Sequence, residues 1–149
     1  MNVRRVPCAG VSIATFSEFP DLQSRACELI HAGIIRARSA VSWERDDALR
    51  AQAGEALLAI DGAGLLHCIC RVTSIAVKRF RDVDPSDAWL EGIGDRSLEE
   101  WRLVRGPEFS RRAILLGREF TESTEIVLER FEVVWRVQQQ TNVTNAQNQ

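Results

Sequence analysis

Apolar residues recur along this chain with helical spacing in some stretches and with strand spacing in others. After Pro20 and Asp21, residues Leu22, Ala26, Leu29 and Ile30 fall at i, i+4, i+7 and i+8, which predicts an amphipathic helix closed by Gly33. A polar, helix-capable stretch covers 43–52. Asp84-Pro85 opens a short helix with Trp89 and Leu90 on its apolar side and Gly92 at its end. Ser97 followed by Glu100 reads as a capping box, after which Leu98, Trp101 and Val104 or Arg105 share one stripe.

Strand patterns lie between these helices. Residues 34–41 are short and β-like, and alternation puts Arg36 and Arg38 on one face with Ile35, Ala37 and Ser39 on the other. Residues 56–60, the turn Asp61-Gly62-Ala63-Gly64 and residues 65–77 read as a β-hairpin. Over 126–137, Val127, Phe131, Val133, Trp135 and Val137 form an apolar face against Arg130, Glu132 and Arg136. Residues 1–15 read as an irregular or strand-like lead-in. Residues 106–124 carry a mixed pattern broken at Gly117. The tail 138–149, QQQTNVTNAQNQ, has the composition of a disordered segment.

The order helix, strand, helix, hairpin, helix, helix, strand lacks regular crossover helices, so a doubly wound parallel sheet is excluded. The expectation is an α+β domain over 1–137, built on a small, strongly bent mixed sheet or barrel flanked by helices. The 149 residues suffice for one real core. A formal net charge of -2 removes any global electrostatic argument for nucleic acid. Cation type is more informative, because Lys78 is the one lysine among 19 basic residues and arginine forks suit carboxylates and phosphates. No run of 18 apolar residues exists, so no membrane span or membrane partner is expected. Arg4, Arg5 and Pro7 make a poor signal peptide, and four cysteines without a C-x-x-C pair fit a reduced, cytoplasmic protein.

Metal and nucleophile chemistry find little support. On a strand, Cys68 and Cys70 share a face while His67 points away, and His31, Cys8 and Cys27 have no matching ligand spacing. No phosphate-loop, dinucleotide or H-E-x-x-H pattern occurs, so neither metal nor cofactor is expected. Glu91, Asp95, Glu99 and Glu100 cluster around helix starts, where carboxylates favour the helix dipole.

Three segments together resemble the ASCH family, small domains with a PUA-like β-barrel and flanking helices. They are 22–43, a helix ending in Ala-Gly followed by a short strand and Trp-Glu; 92–101, G-x-G-D-R-S-L-x-x-W; and 126–134, IVLERFEVV. The resemblance implies a link to RNA: some members bind it, one group hydrolyses acetylated cytidine nucleosides, and another is reported as a ribonuclease. The amidohydrolase pattern is Gly-x-Lys-Thr-x-Thr with a glutamate near the second segment. Here Gly33 matches, but the lysine falls on Ile35, the threonine on Arg38, and the glutamate on Ile93 or Gly94. Ile35 carries no proton, and Arg38 is too basic to act as a base near neutral pH.

The resemblance therefore implies RNA or a nucleotide-like ligand in a cleft between the first strand and the Gly92–Ser97 loop, lined by Arg36, Arg38, Ser39, Trp43, Asp95 and Arg96, with the amidohydrolase residues lost. Arg36, Arg38 and Arg96 would hold the anionic part, Trp43 would stack or wall the cleft, and Ser39 and Asp95 would set polarity, Asp95 facing a base edge or pairing with Arg38. Enzymatic activity stays open, since Asp95 with Ser39 is the alternative constellation for a hydrolase on nucleosides or RNA. A third reading is an interaction module whose arginines meet carboxylates on a protein partner.

Overall fold

The computed structural model describes residues 10–44 and 52–138. Its elements are β1 (Val11–Ile13), α1 (Pro20–His31), β2 (Ala37–Val41), a 3-10 turn (Ser42–Glu44), β3 (Ala56–Ile60), β4 (Leu66–Arg79), a 3-10 turn (Phe80–Asp82), α2 (Pro85–Glu91), α3 (Leu98–Leu115) and β5 (Glu125–Arg136). The lead-in before residue 10, most of the helix expected over 43–52, and all but the first residue of the polar tail lie outside the described residues.

Five strands form one mixed sheet in the order β1-β3-β4-β5-β2, with β1 parallel to β3 and the other pairs antiparallel. The expected hairpin is β3 and β4. Register shifts between Ile69 and Cys70 and between Val72 and Ser74 mark bulges, which bend the long β4–β5 ribbon. The sheet ends at β1 and β2 and does not close, so the bent sheet describes it and the barrel does not.

Packing corrects the sequence pattern in three places. Leu22 is 59% exposed while Gln23 is buried, because the Gln23 amide ties three segments. It accepts from the Phe16 and Ser17 N–H groups and donates to the Ala14 and Ile60 carbonyls. On β5, the consecutive residues Ile126, Val127, Leu128 and Glu129 are all buried, so strict alternation fails where both faces of the strand are covered. Finally, α3 continues through Gly106 and Pro107 to Leu115. An interior proline costs about 3 kcal/mol in an isolated helix. Burial of Trp101, Phe109 and Ala113 offsets that cost.

The capping expectation is partly met. Ser97 accepts the Glu100 N–H at 3.1 Å, while the Glu100 side chain lies over Gly94. The reciprocal capping box sits instead at α2, between Asp84 and Asp87. Two cores result. One packs α1 on the sheet through Cys27, Ile30, Leu57, Cys68, Cys70, Val72 and Phe131. The other packs α2 and α3 through Val41, Phe80, Trp101, Phe109, Ile126 and Leu128, with Phe80 stacked on Trp101 at 5.3 Å. No helix among the described residues is long and apolar enough to cross a membrane.

Candidate functional site

A cleft of about 660 Å³ opens where β2 faces α3, with the segment joining β1 to α1 as its third wall. Arg38 and Ser39 line it from β2. Arg105, Glu108, Phe109, Arg111, Arg112 and Leu115 line it from α3, and Phe16, Glu18 and Phe19 line the third wall.

Two of the arginines are anchored from behind. Arg38 lies opposite Glu129 in the β2–β5 register and donates to its Oε1 from Nε at 3.0 Å and Nη2 at 2.8 Å. The Glu129 side chain is 0% exposed. A carboxylate in that position is tolerable only with a cation bonded to it, because desolvating a lone charge costs several kcal/mol. Glu91 is the second anchor. Its Oε1 accepts from Arg105 Nη2 at 3.0 Å and from Ser39 Oγ at 2.9 Å, and its Oε2 accepts from Trp101 Nε1. Glu91 ends α2, where the helix dipole disfavours a carboxylate. Burial pushes its carboxyl above the ordinary range, opposed by the Arg105 charge and by the bonds from Trp101 and Ser39. Arg105 is held on its other side by Glu108 at 2.7 Å. A third buried carboxylate, Asp87, is bonded by Lys78 at 2.7 Å and Arg130 at 2.8 Å.

The chemical outcome is a cleft floor of guanidinium groups fixed in place by buried acids. Arg111 and Arg112 are exposed at its rim. Such a surface suits anions and bidentate acceptors. Ser39 adds a hydroxyl already bonded to a carboxylate.

Of the residues singled out by sequence, the structure brings Arg38 and Ser39 together in this cleft, and places Arg36, Trp43, Asp95 and Arg96 outside its lining. Arg36 is exposed and donates from Nε to the Gly33 carbonyl at 3.0 Å. Trp43 packs half-buried against the second core, 5.4 Å from the Arg118 guanidinium. Asp95 accepts the Ser97 N–H at 2.8 Å and is held below the usual carboxylate range by the Ser97 side chain first and by that N–H second, so it shapes the turn before α3. Arg38 pairs with Glu129 and Ser39 with Glu91, so neither is bonded to Asp95 as expected. Arg96 takes a left-handed φ of 68°, lies 3.8 Å over the Trp89 ring, and donates to the Trp89 and Ile34 carbonyls.

Ile35 is buried in the first core and Ile93 packs on the second. His67 contacts Asp61 at 2.7 Å, and Cys68 and Cys70 are buried in the first core. No cluster of His, Cys, Asp and Glu among the described residues is arranged to hold a metal ion.

Sequence reasoning took Glu91 for a helix-start carboxylate, whereas it ends α2, and it did not single out Glu129, Arg105, Arg111 or Arg112 as site residues. Signals for two of them existed. Glu129 shares the parity of Val127 and Phe131 on an apolar strand face, and Glu91 is a carboxylate at the wrong end of a helix. Arg111 and Arg112 gave none, because their face is defined only once α3 runs past Pro107.

A family model of the ASCH domain matches residues 12–135. The crystal structure of an ASCH domain from Lactobacillus crispatus JV V101 superposes with a TM-score of 0.78 at 29% identity, over 85% of this chain and 81% of that one. A protein from Enterococcus faecalis V583 shares the fold with a TM-score of 0.71 at 20% identity, over 85% of this chain and 80% of its own. No curated protein matches the chain.

Proposed function

Since this chain belongs to the ASCH domain family, we propose that it binds RNA or a nucleotide-like ligand in the cleft between β2 and α3. One observation carries the reading: in a chain of net charge -2, four arginines from two elements converge on one cleft, and two of them, Arg111 and Arg112, stand exposed at its rim. Arg38 and Arg105, preset by Glu129 and Glu91, are the inner anion contacts, and Arg111 and Arg112 are the outer ones. Arg36 and Arg96, at the start of β2 and the turn before α3, extend the positive surface, with Trp43 and Asp95 shaping its borders. The family's amidohydrolase chemistry is lost in this reading, because Ile35, Arg38 and Ile93 or Gly94 occupy the positions its groups would need.

The test is a titration of short single-stranded RNA into the whole chain at low and moderate salt, with Arg111→Ala/Arg112→Ala alongside. Salt-sensitive binding that weakens in the double variant supports the reading. Each lost phosphate contact should reduce the salt slope by roughly 0.7 for a single strand. Absence of binding to any RNA or nucleoside would sink it.

A second reading is supported by the Ser39–Glu91 contact. A hydroxyl donating to a buried carboxylate whose proton affinity is raised is the start of a nucleophile–base pair. A hydrolase on modified nucleosides or RNA would use Ser39 with Glu91, in place of Ser39 with Asp95. Product formation from acetylcytidine or RNA, abolished in Ser39→Ala and kept in Asp95→Asn, would favour it.

A further inference from the structure

The cleft has an apolar lip that nothing in the fold requires. Phe19 is 61% exposed on one wall, and Leu115, in the last turn of α3, is 78% exposed on another. The domain packs its other phenylalanines: Phe16 meets Phe131 edge-on, and Phe80, Phe109 and Phe120 pack on one another and on Trp101. Burying an aromatic ring is among the larger favourable contributions a side chain makes, so a ring left at a cleft mouth calls for a partner.

The neighbours say what kind. Arg111 and Arg112 are exposed on the same cleft. An open ring face beside guanidinium groups matches an unpaired base with its phosphate. A duplex keeps its base faces stacked and offers none. An acidic peptide satisfies the arginines and leaves the ring without a planar partner. A volume of about 660 Å³ lies within the roughly 300–1,000 Å³ of small-ligand sites, which suits one nucleotide and not a helix.

We infer that the cleft takes a single unpaired nucleotide of an RNA strand, its base stacked on Phe19 with Leu115 opposite and its phosphate on Arg111 and Arg112. This specifies the RNA-binding reading of the same cleft and rests on it.

The experiment is an anisotropy titration of the whole chain with a labelled pentanucleotide RNA, an abasic backbone of equal length, the matching duplex, and a glutamate-rich peptide. Phe19→Ala, Phe19→Trp and Arg111→Ala/Arg112→Ala are compared with the unaltered protein, and exposure of Phe19 makes its replacement harmless to the core. Loss of one stack should weaken the pentanucleotide by about tenfold or more in Phe19→Ala with an unchanged salt slope. The abasic backbone should bind the unaltered protein no better than the pentanucleotide binds Phe19→Ala. Phe19→Trp should restore binding, with its indole emission quenched by the base. Full affinity of Phe19→Ala alongside weakened Arg111→Ala/Arg112→Ala would overturn the stacked base and leave the arginine cleft standing. Duplex or peptide binding as strong as the pentanucleotide's, and indifferent to Phe19, would overturn it as well. No binding of any RNA would remove the cleft reading itself.

Discussion

The two cores are packed from different materials. Under α1 the core is aliphatic and thiol-bearing, and its buried polar residue, Gln23, bonds to backbone. Burial pushes the Cys27 thiol up to about 11, so that core stays neutral. Around α2 and α3 the core is aromatic, and two buried carboxylates, Glu91 and Asp87, meet cations there, while the buried Glu129 meets Arg38 across the β2–β5 pair. Buried ion pairs contribute little net stability compared with apolar packing of the same volume. Their concentration around β2 and its neighbours β5 and α2 therefore marks where the fold presents charge, and the cleft opens beside β2. The α1 core holds the domain together; the ion pairs around β2 hold arginines in place.

The sharpest way to break that contrast is Arg38→Ala, which takes a cation from the fully buried Glu129. A loss of about 3–5 kcal/mol is expected in urea unfolding, and Arg38→Met/Glu129→Leu should recover most of it while abolishing the Arg38 anion contact. A mild effect of the single change would show that the pair is not needed. Leu57→Ala, in the opposite core, should cost about 2–4 kcal/mol by cavity formation. Its RNA affinity, measured where the variant is folded, should match that of the unaltered protein. Next comes Gly92→Ala. Gly92 has φ 66°, and an added Cβ would meet Ile34 and Ile35 at 3.2 Å, so a loss of about 1–2 kcal/mol is expected in thermal melts.

The smallest effect concerns acid. The Asp87 N–H, then Ser86 and Lys78, hold the Asp84 carboxyl well below its ordinary value of 3.8. A lowered carboxyl stabilises the fold above the unfolded value, and that contribution fades as pH falls below about 4. Glu91, whose carboxyl is raised, acts with the opposite sign: its contribution is full below the unfolded value of 4.5 and fades as pH rises through the folded one. Asp84→Asn should flatten the acid limb of Tm against pH, and an unchanged limb would refute the assignment.

Much of the fold was legible in the sequence. The hairpin turn Asp61-Gly62-Ala63-Gly64, the cap and proline of α2, and the α1 stripe each follow local rules, and local rules need no tertiary context. Leu22 and Gln23 exchanged places because an amide that bonds four backbone groups outweighs one leucine. Pro107 misled for a similar reason, since packing on Phe80 and Phe109 overrides a local penalty. The site was only half legible. Arg38 and Ser39 stand on a strand whose alternation is readable. Arg105, Arg111 and Arg112 reach the cleft from α3, and Glu91 reaches Arg105 and Glu129 reaches Arg38 across 14 and 91 positions. Arg36, Asp95 and Arg96, next to these residues or within a readable motif, turned out to hold turns by bonding backbone.

The central claim is that RNA meets the β2–α3 cleft. The most direct measurement is photo-crosslinking of a single-stranded RNA bearing a reactive base to the whole chain, with the attached peptides located by mass spectrometry. Crosslinks centred on residues 15–19, 38–40 and 105–115 are expected. Crosslinks gathered instead around Arg36, Trp89 and Arg96, with none on α3, would contradict the account and move the ligand to the turn before α3.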